Sequence, residues 1–128
     1  MLLVAAIVGL TLATGYIHFW VGGTLLVLNA AGYFTLAALV VGATFLYRRA
    51  LPLLLLALAG YAAVTIVGWL IMGPYFEVAY LAKGIEVALI ASIGAHLWIT
   101  RPELSDSLRW GRSIVRRVLR RRPTKQPT

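Results

Sequence analysis

The sequence predicts an all-α integral membrane protein: an antiparallel up-down four-helix transmembrane bundle followed by a C-terminal basic amphipathic interfacial helix. Of the 128 residues, 61% are hydrophobic and only 12% are charged, whereas a soluble domain has about 25% charged residues. Four apolar segments each have the roughly 20 residues that a helix needs to cross a hydrocarbon core of about 30 Å. Strand-type alternation of polar and apolar residues is absent from the sequence. These observations favour transmembrane helices over a soluble or β-sheet fold.

Turn-forming residues separate the four apolar segments. Gly22-Gly23 follows the first, Arg48-Arg49 precedes the third, which opens with Pro52, and Gly73-Pro74 follows the third. Connections of about three to five residues place consecutive helices side by side and antiparallel. The predicted bundle comprises residues 1–100, with spans at residues 2–20, 24–47, 51–72 and 78–99.

The positions of the basic residues predict the orientation in the membrane. Arg48 and Arg49 occupy the second connection and further basic residues follow the fourth span, whereas the first and third connections contain no Lys or Arg. Because Lys and Arg near span ends stay on the cytoplasmic side, we expect both termini to be cytoplasmic in a prokaryotic inner membrane. The first segment is longer than the apolar core of a signal peptide and lacks a basic region before it, so we expect a retained span.

Residues 101–122 are predicted to form a basic amphipathic cytoplasmic helix, and residues 123–128 a disordered tail. Pro102 is expected to end the fourth span, with Ser105 or Asp106 capping the new helix. The helix either serves only as a topology determinant or also contacts anionic lipid or an acidic partner. Nucleic acid is not an expected partner, because aromatic residues are sparse in this segment. The basic residues expected at this contact are Arg109, Arg112, Arg116, Arg117, Arg120 and Arg121.

Five strongly polar residues fall inside the outer halves of the spans, where polar side chains are costly unless they are paired. They are His18 in the first span, Asn29 and Tyr33 one turn apart in the second, and Lys83 and Glu86 one turn apart in the fourth. At about 1.5 Å per residue they lie roughly 4 to 13 Å deep, so a single hydrogen-bonded cluster is expected if their faces meet.

Each part of this polar cluster has a structural and a functional interpretation. Lys83 and Glu86 either fix the register of the bundle as an ion pair or provide a protonatable carboxylate in an ion or proton path. His18, Asn29 and Tyr33 either form interhelical hydrogen bonds or contact a quinone or a lipid headgroup.

Small residues on the fourth span form a stripe of the kind that lets helices approach closely. Glu86 lies instead on the bulky face of the same helix. Either the bulky face is the bundle interior and the stripe meets a partner, or the reverse holds and Glu86 reaches another protein. The stripe consists of Gly84, Ala88, Ala91 and Ala95.

Cofactor and catalytic signatures are weak in this sequence. His18 and His96 lie near opposite faces of the membrane, roughly 20 Å or more apart, so they cannot ligate one haem iron, although each is a candidate to hold a haem or chlorophyll singly. The chain has no cysteine, no His-x-x-x-His pair, no phosphate-binding glycine loop and no nucleophile elbow. We expect no metal site, no resident cofactor and no enzymatic activity.

With His18, the Asn29-x-x-Gly32-Tyr33 stretch and Lys83-x-x-Glu86, the chain resembles the small four-span, cysteine-free membrane proteins of bacteria and archaea that form families of unknown function. The resemblance covers residues 1–100 and implies a fold and a membrane location. It differs from the small multidrug transporters, whose essential carboxylate lies in the first helix.

Three functions are consistent with these features. The favoured expectation is an accessory or scaffolding subunit that packs on a larger membrane complex or on a copy of itself. The alternative is a minimal oligomeric transporter or channel that uses Lys83 and Glu86. The third is a subunit that holds a pigment or a haem.

Overall fold

The computed structural model describes residues 1–73 and 75–120, and all of the regular secondary structure in these residues is helical. Four of the helices are long and apolar enough to cross a membrane, which fits the predicted transmembrane character, and the all-helical class is confirmed. The helices are α1 (Leu2–Val21), α2 (Thr24–Leu46), α3 (Leu51–Met72), α4 (Glu77–Ile99) and α5 (Arg101–Arg120), with a single 3-10 turn at Arg48–Ala50 before α3.

Three residues account for the tight connections at the ends of the helices. Gly22 and Gly23 between α1 and α2 have φ angles of 78° and 86°, a left-handed conformation that is costly for any residue with a Cβ. Pro52 lies in the first turn of α3, where its missing N–H removes no helical hydrogen bond.

The four long helices contact one another in a ring: α1 with α2, α2 with α3, α3 with α4, and α4 with α1. Ile7, Leu55 and Ile93 are fully or almost fully buried in the centre of this ring. Since these residues belong to three different helices, the ring has a continuous apolar core. Other members of this core are Val4, Val40, Leu58, Leu89 and Leu97.

The two ends of the ring differ in chemistry. We call one the glycine-turn end, because it contains Gly22, Gly23 and Gly73 in the connections that follow α1 and α3. We call the other the arginine end, because it contains Arg48, Arg49 and the beginning of α5. At this end the Arg101 guanidinium lies 3.2 Å from the centre of the Trp98 ring, a cation–π arrangement.

Helix α5 begins earlier than its capping residues predict. The helix starts at Arg101, directly after Thr100, so Ser105 lies inside it. This early start is possible because proline is well tolerated in the first turn of a helix, where Pro102 lies. The buried Ser107 hydroxyl donates to the Glu103 carbonyl oxygen, and α5 packs on α3. Arg121 and the predicted disordered tail at 123–128 lie outside the described residues.

Candidate functional site

Glu86 is the centre of a polar cluster inside the bundle. It lies in the first half of α4, and its side chain has no solvent-exposed surface. Oε1 accepts a hydrogen bond from the Thr14 hydroxyl at 3.2 Å, and Oε2 lies 2.7 Å from the Lys83 ammonium nitrogen. Two helices therefore supply charged or polar donors to one carboxylate, which offsets part of the cost of burying it.

His18 connects α1 to the same carboxylate. Its Nδ1 lies 2.8 Å from the Thr14 backbone carbonyl oxygen, and because a carbonyl can only accept, Nδ1 carries the hydrogen. Nε2 lies 3.6 Å from Glu86 Oε1. The local hydrogen bond fixes the ring orientation and directs the second nitrogen toward Glu86.

Lys83 extends the cluster to α3. Its ammonium group donates to Glu86 and, at 3.4 Å, to the Thr65 backbone carbonyl. The Thr65 hydroxyl has one proton, which it donates to the Ala62 carbonyl. Thr65 Oγ1 can therefore only accept in its second hydrogen bond, so the hydroxyl of the fully buried Tyr33 donates to it over 2.9 Å. The cluster therefore connects α1, α2, α3 and α4.

Aromatic rings pack beside these hydrogen bonds. The rings of His18 and Tyr33 are 5.7 Å apart, and those of Tyr33 and Tyr61 meet edge to face at 5.0 Å. The Tyr61 hydroxyl donates to the Asn29 carbonyl oxygen over 3.2 Å. Gly32 lies beneath Tyr61, where a Cβ would collide with the phenol oxygen and ring. A residue without a side chain is therefore required at this α2–α3 contact.

A cavity of about 460 Å³ lies between the polar cluster and the glycine-turn end. The floor of the cavity is polar and is formed by His18, Asn29, Tyr61, Thr65 and Lys83. The rest of the lining consists of apolar and aromatic side chains and glycine backbone. Its volume falls within the range of roughly 300 to 1,000 Å³ that is typical of small-molecule sites.

The structure brings together four of the five polar residues singled out from the sequence: His18, Tyr33, Lys83 and Glu86. Asn29 is half-buried, with its backbone carbonyl in the Tyr61 hydrogen bond, and it lines the cavity.

Sequence reasoning did not single out Tyr61 and Thr65, both on α3. Their signal is the spacing i and i+4 within one span, which is the same spacing that identified Asn29 and Tyr33 on α2. Thr14 on α1 also belongs to the cluster, and its role depends on Glu86 lying opposite.

His96 is remote from this cluster. It lies ten residues after Glu86 on α4, about 15 Å along the helix axis. Among residues 1–73 and 75–120, no group of three or more His, Cys, Asp or Glu side chains is placed to hold a metal ion. The grouped carboxylate, imidazole and amine can exchange protons or hold a polar group.

The small-residue stripe of α4 lies on the outside of the bundle. Of the two orientations compatible with the sequence, the structure has the one in which Glu86 faces the interior. A Cβ added to Gly84 would meet nothing within 4 Å. The exposed stripe is Gly84, Ala88, Ala91 and Ala95.

The basic residues of α5 form an exposed surface at the arginine end. Arg109 is paired with Asp106 over 2.6 Å, but both side chains are more than two-thirds exposed, so the pair contributes little stability. On the neighbouring side of the helix, Val115, Val118 and Leu119 are also exposed. The arginines that border one concave surface are Arg109, Arg112, Arg116, Arg117 and Arg120.

Comparisons with known proteins do not extend this description. No protein-family model matches the chain, and neither the curated proteins nor the solved structures searched contain a significant match.

Proposed function

We propose that this chain is a non-catalytic accessory or scaffolding subunit of a prokaryotic cytoplasmic membrane, which packs through α4 on another membrane protein or on a second copy. The observation that carries this proposal is the division of α4 into two faces. Glu86 and Lys83 have their partners inside the bundle, whereas the small residues Gly84, Ala88 and Ala91 face outward.

The outward face of α4 has the composition expected of a helix–helix contact in lipid. Lipid tails are as apolar as leucine, so the hydrophobic effect does not drive helices together within the bilayer. Association depends instead on close packing, which small residues permit because two backbones can approach one another. The stripe from Gly84 to Ala95 spans three turns and supports such an approach along most of the second half of α4.

The proposal includes an orientation and an up-down course of the four spans. The arginine end, with Arg48 and Arg49, would face the cytoplasm together with both termini. Helix α5 would then lie at the cytoplasmic interface, with its exposed valines toward the acyl chains and its arginines toward anionic headgroups.

A triple substitution tests the association. The variant combines Gly84→Leu, Ala88→Leu and Ala91→Leu, which add bulk along the stripe without touching the interior. The readout is the native mass of the tagged protein after extraction in a mild detergent. We expect the variant to insert normally but to run as a free monomer, whereas the wild type runs as a larger assembly. The matched control, Ala31→Leu with Thr35→Leu and Ala38→Leu, has the same spacing on the exposed face of α2. Loss of assembly in both variants, or in neither, would contradict the proposal.

The second candidate is a minimal transporter or channel that uses Lys83 and Glu86. It is favoured by the cavity, which reaches Lys83 from the glycine-turn end. Toward the arginine end, however, the interior is filled by apolar side chains such as Leu55, Leu58 and Leu89, all fully buried. Flux in liposomes distinguishes the two functions: Glu86→Gln abolishes flux if the chain is a transporter, and mainly weakens stability and assembly if it is an accessory subunit.

A pigment- or haem-holding role ranks third. His18 Nε2, the nitrogen left for an iron or magnesium ligand, is directed at Glu86. An absorption spectrum of the same purified fraction tests this role, and a colourless sample would count against it.

A further inference from the structure

We propose that the cavity at the glycine-turn end binds one neutral, mainly apolar molecule with a carbonyl group, of the quinone class. The site is independent of the outward α4 stripe, because no residue of the stripe lines the cavity. Its polar groups are confined to the floor, and its walls are apolar. A ligand that fits has one hydrogen-bonding end and an otherwise apolar body.

The floor offers hydrogen-bond donors that match a carbonyl oxygen. The Lys83 ammonium has three protons, of which Glu86 and the Thr65 carbonyl take two among the described residues, which leaves one for a ligand. The half-buried Asn29 side chain supplies two amide protons at the same floor. The floor therefore offers a ligand carbonyl two kinds of donor, an ammonium group and an amide.

The charge at the floor favours a neutral ligand. The positive charge of Lys83 is cancelled by Glu86 at 2.7 Å. A charged ligand would therefore be buried without a counter-charge, which is costly within a membrane.

The position of the polar floor separates a quinone from a phospholipid. The ester carbonyls of a phospholipid adjoin its charged headgroup, so a carbonyl at Lys83 would draw that headgroup into the apolar part of the cavity. A quinone carries its carbonyls on an uncharged ring. Tyr61, Trp69 and Phe76 contribute aromatic rings to the lining, against which a planar ring can stack.

Binding of decylubiquinone to the full-length protein in lipid nanodiscs tests the proposal, with native mass spectrometry as the readout. Decylbenzene, which lacks a carbonyl, is the comparison probe, and empty nanodiscs give the background. We expect one decylubiquinone per chain, bound saturably and more tightly than decylbenzene.

Two glycines of α3 provide a matched pair of variants. A Cβ at Gly68 or at Gly60 meets nothing within 4 Å, but only Gly68 lines the cavity. Gly68→Leu should fill the cavity and weaken decylubiquinone binding by about tenfold or more, whereas Gly60→Leu should leave it unchanged. Neither glycine belongs to the polar cluster, so both variants leave its hydrogen bonds in place.

Asn29→Leu tests the polar end of the ligand. Loss of one neutral hydrogen bond should weaken decylubiquinone binding by roughly three- to tenfold and leave decylbenzene unaffected. Binding no stronger than in empty nanodiscs, equal effects of Gly68→Leu and Gly60→Leu, or equal binding of the two probes would each overturn the proposal.

Discussion

The Lys83 ammonium nitrogen lies 2.7 Å from Glu86 Oε2, one turn away on α4, inside a bundle where Glu86 is fully buried. The pair is not placed on the lipid-facing side of the helix. Its further partners, the Thr14 hydroxyl and the Thr65 carbonyl, come from α1 and α3. Breaking the pair should therefore disturb the contact of three helices.

Glu86→Gln should destabilise the protein by about 3–5 kcal/mol, because it leaves the Lys83 ammonium buried without its counter-charge. The free energy of unfolding in mixed micelles, measured by titration with a denaturing detergent, gives this value. Glutamine has nearly the same shape, so packing loss contributes little.

The double variant Lys83→Met with Glu86→Gln is the control for Glu86→Gln. It removes both charges, so its loss should be smaller than the sum of the two single losses. Additive losses, or a Glu86→Gln protein as stable as the wild type, would show that the pair is not coupled.

Thr14→Val should cost about 1 kcal/mol, since it removes the hydroxyl that donates to Glu86 while keeping the side-chain volume. Thr11→Val is matched to it: Thr11 is also fully buried on α1, but its hydroxyl donates to the Ile7 carbonyl of its own helix. Equal losses in the two variants would contradict the interhelical role of Thr14. The readout is again the free energy of unfolding in micelles.

Most of the fold was predictable because length and hydropathy alone determine which segments can cross a bilayer. The start of α5 was not, since Pro102 is compatible both with ending one helix and with beginning the next. In the structure α5 begins at Arg101, so the predicted caps Ser105 and Asp106 lie within it.

Gly32→Ala should lower stability by about 1–3 kcal/mol, because the new Cβ would collide with Tyr61 and displace its hydroxyl from the Asn29 carbonyl. Gly42→Ala on the same helix meets open space and should be neutral or slightly stabilising, as alanine favours helix. Thermal unfolding of both variants measures the difference. A Gly32→Ala protein that melts like Gly42→Ala would contradict the tight α2–α3 contact.

Single cysteines should report the proposed orientation cleanly, because the chain contains no native cysteine. A membrane-impermeant maleimide added to intact spheroplasts should label Thr24→Cys, at the glycine-turn end, and should label Arg49→Cys only after the membrane is opened. The reverse pattern would place the arginine end outside.

A pair of spin labels tests whether α5 lies in the interface. Val118 and Arg116 are both exposed on this helix, and the proposal places valine toward the acyl chains and arginine toward water. A nitroxide at Val118→Cys should therefore be more accessible to oxygen and less accessible to a water-soluble nickel reagent than one at Arg116→Cys. Equal accessibility at the two positions would mean that α5 does not lie flat on the membrane.

The membership of the polar cluster was only partly predictable. Lys83 and Glu86 stand out because charges are rare in spans, but their face could not be chosen, since α4 offers both a bulky and a small-residue side. Tyr61 and Thr65 were missed, although their i and i+4 spacing matches that of Asn29 and Tyr33. Their part in the cluster depends on how α2, α3 and α4 pack, which the pattern of a single helix does not specify.

Photo-crosslinking in native membranes tests most directly whether the outer face of α4 is an assembly surface. A diazirine-bearing amino acid is introduced at Ala88 or, as the matched control, at Ala38 of α2, which is also exposed. The proposal predicts one discrete higher-mass protein adduct from Ala88, at the mass of two chains or of one chain plus a partner, and lipid adducts alone from Ala38. Lipid adducts alone from both positions, or the same protein adduct from both, would contradict it.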